Sequence, residues 1–518
     1  MSGNDRTYDY VIVGGGTAGS VIANRLTEDP SVSVCVIEGG PSDRGLDRVL
    51  DLREWLGLLE SDLDYGYTTT EQPRGNSHIV HSRARVLGGC SSHNTLISFR
   101  PFAEDLDEWV AAGAEGWDNA TVQSYADRLK NNIVPIAEKD RNDLVKDWVQ
   151  ASAKATGVPV VEDFNAATSH GGGFRDGVGF LSISYDPYTG QRSSASVAYL
   201  HPIMDVRENL TLMLETWAER IVFDGDRATG VEVVTSDGER VTVSASSEVI
   251  LSAGAIDTPR LMLLSGVGPK GDLEQVGIDV RHDLPGVGEN LMDHPESIIM
   301  WETNKDVPDE TVMHSDGALF IRRDESDPRP DLMFHTYQIP FDDNTKRLGY
   351  ESPGWKRAMC MTPNIPRSRS RGKLWLKSSD PAEKPALDFR YFTDPDGYDE
   401  QTIVDGLKIA RRIAETEPFK SWIAREVAPG PDVVTDEQLS EYGRRAAHTV
   451  YHPAGTCKMG AADDAAAVVD PKLKVRGLRG LRIADASVFP TMPSPNPMVT
   501  VLAVGERAAD LIRADRAS

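Results

Sequence analysis

Cysteines are few and widely separated. Cys35, Cys90, Cys360 and Cys457 show no CxxC spacing, which argues against both a zinc site and a disulfide framework. Long apolar runs are missing too, since no stretch approaches the ~18 residues that a membrane-spanning helix needs. Positive charge is in short supply, with 55 Lys and Arg against 80 Asp and Glu and a net charge of −25. Nucleic acid and anionic membrane surfaces would repel such a body. Met1 to Tyr10 lack the positive flank, apolar stretch and small-residue cleavage site of a signal peptide. The expected setting is a reducing cytoplasm. What is present is a chain able to bury a large core, 518 residues long, 40% hydrophobic and 26% charged. At roughly 150 residues per domain, this length fits three units or one elaborated two-domain protein.

The most informative segment comes first. Tyr8 to Val13 is a short apolar run rich in β-branched residues, the pattern of a buried strand. Gly14-Gly15-Gly16-Thr17-Ala18-Gly19 follows, then a helical stretch to Leu26 and a second strand from Val32 to Ile37 that ends at Glu38. Strand, GxGxxG, helix, strand and a terminal acid about 20 residues on make up a dinucleotide-binding unit. In that unit the glycines let a pyrophosphate approach the backbone, and the acid accepts hydrogen bonds from ribose hydroxyls. The motif alone does not separate NAD from FAD, although its place early in a long chain favours FAD.

Further along, a second glycine-rich stretch runs from Arg85 through Gly88-Gly89-Cys90-Ser91-Ser92-His93-Asn94. Asp105 to Lys130 reads as two helices broken at Gly116-Trp117. Leu210 to Val243 reads as a β-meander and Glu248 to Ser252 as a separate buried strand. Met300 to Pro385 has longer mixed strands and prolines, which places a second domain there, and the strand Gly480 to Ala484 and helix Val499 to Ile512 look like a return to the first.

Together these motifs resemble the glucose–methanol–choline family of FAD-dependent alcohol oxidoreductases, and its choline-oxidising members in particular. The likeness rests on VIVGGGTAGSVIANRL at 11–26, ARVLGGCSSHN at 84–94 and SAGAIDTPRLMLLSGVG at 252–268. It continues through LPGVGENLMDHPE at 284–296, VYHPAGTCKMG at 450–460 and the LRIADASVFP and PNPMVTVLAVGERAADLI segments. The resemblance implies a mixed α/β (α+β) fold, a Rossmann-like FAD-binding domain beside a substrate-binding domain built on an antiparallel sheet. The first would comprise residues 1–150, 195–295 and 448–518, the second 151–194 and 296–447.

On the same resemblance, Gly14, Gly16, Thr17, Ala18 and Gly19 would hold the FAD pyrophosphate, with Glu38 on the adenosine ribose. Gly88 to Asn94, with Gly89 and Ser92, would wrap the isoalloxazine, with Asp485, Asn496 and Pro497 on its far side, and Arg85, Thr95, Ala218 and Ala486 would also bind the cofactor. His93 would carry a covalent bond to the flavin, against the alternative of a histidine packed near a noncovalent FAD.

Oxidising an alcohol to an aldehyde requires loss of the hydroxyl proton and transfer of hydride to the flavin. A base titrating near neutrality points to histidine. The resemblance assigns His452 and Asn496 as the catalytic pair and His335 as support for the developing alkoxide, the alternative for His335 being a cross-strand residue without catalytic duty. Whether His452 is the base or the alkoxide stabiliser stays open. Glu296 falls where the choline-oxidising members hold the ammonium head, and Trp55, Phe341 and Tyr451 match its aromatic cage. Against that stands an interdomain salt bridge from Glu296 to an Arg or Lys. His78 and His81 lack the partners for a metal site, so the expectation is no metal and two solvated side chains.

Thr95, His314 and Ser315 depart from the choline-oxidising pattern, and the segment from Arg128 to Gly157 is shorter near the expected substrate entrance. The substrate is therefore choline, another amino alcohol or an uncharged primary alcohol. Molecular oxygen is the expected acceptor, yielding hydrogen peroxide, with a dehydrogenase using a quinone or protein acceptor as the rival and a catalytically silent flavoprotein as a second. The oligomeric state stays open, a homodimer included.

Overall fold

The apolar run ending at Val13 is the middle strand of a parallel sheet, as its lack of alternation predicts. This strand, Arg6–Val13, has Val11 and Ile12 fully buried. It is flanked in parallel by Val34–Ile37 and Arg240–Leu251. Leu210–Met213 extends the sheet beyond Val34–Ile37, and Leu481–Ile483 pairs in parallel with the last residues of Arg240–Leu251. Those are residues 249–251 of the long strand, whose first half pairs antiparallel with Arg227–Val234, itself paired with Trp217–Asp224. The computed structural model describes residues 6–169, 174 and 176–517.

Two expectations need correction. Leu210–Met213 does not belong to the meander but forms the parallel edge of the nucleotide-binding sheet. A four-residue apolar run carries no information about the direction of its partner, so the sequence could not separate the two. The runs around Val243 and Glu248 are likewise one 12-residue strand, shared between both halves of the sheet.

The helix Thr17–Leu26 follows the glycine turn, and Met498–Ala517 packs across it. Its Arg25 donates to Glu506, a buried carboxylate, at 2.8 Å. The two helices expected around Gly116-Trp117 are Ala103–Ala111 and Asn119–Ala126.

The second sheet is antiparallel throughout, in the order Ile423–Ala428, Ile299–Thr303, Ala358–Asn364, Leu332–Tyr337, Gly317–Ile321 and Gly177–Phe180. Pro295–Glu296 pairs with Asn364 on one side and with His448–Thr449 on the other. Helices Asp143–Thr156 and Tyr398–Ala414 cover the sheet. The fold is mixed α/β, a Rossmann-like sheet beside an antiparallel one, and the two draw on interleaved stretches of chain. Among the described residues no helix is long and apolar enough to cross a membrane.

The glycine turn shows why the site needs these residues. Gly14 has φ +102°, and a Cβ there would lie 2.4 Å from the Ser252 carbonyl oxygen. At Gly19 a Cβ would lie 2.0 Å from the Gly14 carbonyl oxygen. Gly19→Ala should therefore open the turn and cost about 1–3 kcal/mol. If the expected FAD is held here, purified protein should lose most of its 450 nm absorbance relative to protein content and melt several degrees lower; an unchanged absorbance would show that the turn tolerates the methyl group.

Candidate active site

The carboxyl ends of the parallel strands and, through His335 and Tyr337 on an inner strand, the antiparallel sheet open onto a single cavity. Its nucleotide end begins at Thr17–Leu26, whose N-terminus has no side-chain cap and no acidic residue in its first turn. Such an end attracts an anion. Gly14, Gly16, Thr17 and Ala18 border the cavity here, while Gly19 lies behind them against Gly14. Glu38 closes the wall: its carboxylate accepts from Gly15 N at 3.0 Å and Gly40 N at 2.8 Å, and burial pushes its pKa up to about 7. Ala218 borders the same cavity. Uncapped helix terminus, close-packed glycines and a terminal carboxylate together fit a dinucleotide.

The second glycine-rich stretch is bonded directly to the first, Gly88 N donating to Gly15 O at 2.8 Å. Gly89, His93, Asn94 and Thr95 border the cavity. Gly88 and Ser92 do not; the Ser92 hydroxyl donates to Leu87 O at 2.8 Å and anchors the loop from behind. Arg85 also turns away, donating to Asp62 O at 2.8 Å and bordering a second, adjoining pocket instead. His93 Nε2 donates to Leu58 O at 2.8 Å, and burial lowers its pKa to about 4 although Asp64 lies 3.8 Å away. Arg192, buried beside this loop, donates to the Asn94 carbonyl, and burial lowers its pKa to about 9. On the opposite wall lie Asp485, Ala486, Asn496 and Pro497. Asp485 accepts from Gly254 N at 2.8 Å, the Thr258 hydroxyl at 2.6 Å and Ser487 N at 2.8 Å, and burial raises its pKa.

His452 borders the same cavity from a turn whose preceding residue, Tyr451, has φ +64°. That left-handed conformation costs a non-glycine residue on the order of 1 kcal/mol. Thr449 Oγ1 accepts from Tyr451 N at 2.6 Å, Arg83 donates to Tyr451 O at 2.5 Å, and Asp293 Oδ1 accepts from His452 N at 3.0 Å. Burial holds the His452 pKa well below its ordinary value, with the neighbouring His294 and His335 acting in the same direction. The ring is neutral at pH 7.

Asp293 is in turn fixed by Tyr391, whose hydroxyl donates to Oδ2 at 2.6 Å while accepting from His81 Nε2 at 3.0 Å. His81 is fully buried and stacked on Phe389 at 4.2 Å. The expectation of a solvated side chain fails at His81 and describes only His78, which is exposed. Among the described residues no group of three or more His, Cys, Asp or Glu is placed to hold a metal.

The antiparallel sheet supplies the far end. His335 borders the cavity, as do Trp55 and Tyr451. Glu296 and Phe341 do not; they form the layer behind. Sheet register pairs Glu296 with His448 on one side and Asn364 on the other, and the two carboxylate oxygens lie 3.3 Å from His448 Nδ1 and 4.0 Å from His335 Nδ1. Glu296 has no Arg or Lys partner among the described residues, so the interdomain salt bridge is not seen, and its Oε2 has no hydrogen bond. Tyr337, absent from the sequence-based set, stacks on Phe341 at 4.6 Å and lies 6.2 Å from Trp55. Its signal was available, because it lies two residues from His335 on one strand and so shares its face.

His448 and Asp293 were likewise missed, each readable only through tertiary pairing. His314 and Ser315 do not border the cavity. They follow Met313, whose carbonyl accepts from Trp55 Nε1 at 2.8 Å, and so stand behind the aromatic cluster. No residue of 128–157 borders the cavity.

Comparison with known proteins identifies the family. GMC oxidoreductase family models match residues 8–296 and 368–505. The chain is 43% identical to choline oxidase of Arthrobacter globiformis over 99% of its own length and 96% of that protein. It is 34% identical to an alcohol dehydrogenase [acceptor] of Pseudomonas putida over 98% and 95%. The crystal structure of pyridoxine 4-oxidase from Mesorbium loti superposes with a TM-score of 0.89 at 26% identity, covering 97% of this chain and 98% of that one. An uncapped glycine turn, a carboxylate at its strand end and a buried histidine thus share one cavity in a chain that belongs to the GMC oxidoreductase family of FAD-dependent enzymes.

Proposed function

We propose that the protein oxidises a small primary alcohol bearing a cationic head, choline or a related amino alcohol, to its aldehyde. When bound, FAD would supply the two-electron acceptor for the alcohol's hydride, and oxygen would take up those two electrons and two protons as hydrogen peroxide. The chain's own part is to hold the alcohol, take its proton and exclude water.

A neutral imidazole at His452 is in the right protonation state to accept the hydroxyl proton, and Asn496 on the same cavity wall can donate to the oxygen as charge develops. His335, whose buried Nε2 has no hydrogen-bond partner among the described residues, supplies a second polar group to that oxygen.

The observation that carries the cationic head is Glu296. A carboxylate 1% exposed, with one oxygen unbonded and no Arg or Lys beside it, calls for an opposite charge from elsewhere. Tyr337 and Tyr451 lie close enough to feel its charge, and Tyr337 clusters with Trp55 and Phe341, the aromatic surroundings that a weakly hydrated ammonium prefers. The similarity to choline oxidase supports the same substrate class and oxygen as acceptor, and the similarity to an acceptor-dependent alcohol dehydrogenase is the reason to measure the acceptor directly.

Glu296→Gln should raise KM for choline on the order of 30-fold, corresponding to about 2 kcal/mol for breaking a buried charge pair, with little change for uncharged primary alcohols. Equal effects on both classes would defeat the ammonium role. Under air with choline, peroxide should form in step with substrate loss; turnover only with an added quinone would make the enzyme a dehydrogenase.

His93 is proposed to link covalently to the flavin, supported by its place on the cavity wall. Acid-precipitated protein should then stay yellow and His93→Ala should release its FAD. A colourless pellet from the parent protein would remove the covalent claim.

A further inference from the structure

A buried imidazole carries its single proton on either of two nitrogens, and only one arrangement leaves a lone pair for the substrate. His452 Nδ1 lies 2.9 Å from His294 Nδ1. The other nitrogen of that partner, His294 Nε2, lies 3.1 Å from the carbonyl oxygen of Pro493. A carbonyl oxygen only accepts, so the proton of His294 is on Nε2 and its Nδ1 carries a lone pair. That lone pair can only receive a hydrogen bond, so the proton of His452 is on Nδ1. Nε2 of His452 is then the nitrogen with the free electron pair.

We propose that His294 is the positioning residue of the proton-abstraction step, fixing the tautomer of His452 so that Nε2 can take the hydroxyl proton. This role rests on His452 being the base. When the alcohol loses its proton to Nε2, His452 becomes an imidazolium still donating through Nδ1. The His294 lone pair then accepts a charge-assisted hydrogen bond, stronger than the one it replaces. The relay thus favours the charged product of proton transfer over the resting neutral ring.

Among the described residues no other side chain is placed to do this. The other groups facing His452 are His335 and Arg83, and neither is hydrogen-bonded to its ring. Asp293, next to His294 in the chain, holds the backbone of His452 and not the imidazole. The two consecutive residues therefore act on different parts of His452, Asp293 on its turn and His294 on its tautomer. His294 is buried, 2% exposed, and His452 is half-buried, so water has little access to the acceptor nitrogen of His294.

The test combines spectroscopy with kinetics on the holoenzyme. Nitrogen-15 histidine spectra of the resting enzyme, assigned by the signals lost in His452→Ala, should show His452 with Nδ1 protonated and Nε2 bare. Anaerobic rapid mixing with choline should show flavin reduction slowed about 10²-fold in His294→Phe, with the substrate dissociation constant within about threefold of the parent. His294→Asn, whose side-chain oxygen can stand in for the Nδ1 acceptor, should recover most of that loss. A merely structural role would weaken both variants alike and leave the resting tautomer undetermined by His294. A proton on His452 Nε2, or parental reduction rates in His294→Phe, would overturn the proposal. If His294→Phe does not fold, the spectrum of the unsubstituted enzyme decides by itself. The spectrum also separates this proposal from the function: a substrate screen with no reduction would sink the oxidase reading and leave the tautomer assignment standing.

Discussion

Asp293 is the constraint on which the active site depends. Its carboxylate, buried and with a pKa pushed up to about 6, accepts from the backbone of His452 on one oxygen and from Tyr391 on the other. Removing a carboxylate from water is expensive unless its lone pairs are filled, and here they are filled by groups from distant parts of the chain. Together with Thr449 and Arg83, which bond Tyr451, Asp293 holds the turn in which Tyr451 is left-handed. The cluster around Asp293 thus links the edge of the antiparallel sheet to the cavity wall. Asp485 does the corresponding work at the nucleotide-binding sheet, binding the turn at Gly254 and the short helix that follows Asp485 itself.

The two ends of the cavity follow opposite electrostatic rules. At the nucleotide end a bare helix terminus offers partial positive charge to an anion, beside a carboxyl group whose pKa burial raises. At the end proposed for the substrate, the buried Glu296 carboxylate lies behind the cavity wall, where it would offer negative charge to a cation. Between them lies a neutral imidazole, depressed in basicity by burial and by two neighbouring histidines. In the proposed reading this arrangement would separate binding from proton transfer, with the charged head group held at one place and the hydroxyl facing an uncharged base at another.

Much of the nucleotide-binding half was legible in the sequence because its determinants are local. A strand, four glycines, a helix and an acid within about 30 residues fix both the fold and the binding mode. The parallel edge strand Leu210–Met213 was not legible, because its partner Val34–Ile37 lies far away in the chain and four apolar residues carry no direction. At the catalytic end, His452, Asn496 and His335 could be named through family motifs, and the structure brings all three to one cavity. Arg85, Gly88, Ser92, Glu296 and Phe341 do not border it, since motif matching identifies neighbours in sequence and cannot tell a wall from its backing. His81 was misread as solvated for a related reason: a histidine in a polar stretch gives no hint that Phe389 and Tyr391 will bury it. His294 stands in the LPGVGENLMDHPE motif, but only the hydrogen bonds to His452 and Pro493 reveal a role for it.

How flavin, base and alcohol lie relative to one another is tested most directly by a crystal structure of the holoenzyme with an unreactive amino-alcohol analogue. The flavin ring is expected between the Gly88–Asn94 loop and the Asn496–Pro497 wall. The analogue's hydroxyl should lie within hydrogen-bond reach of His452 Nε2, and its ammonium group on the Glu296 side of the aromatic cluster. A flavin ring elsewhere, or a hydroxyl turned away from His452, would contradict the proposed chemistry.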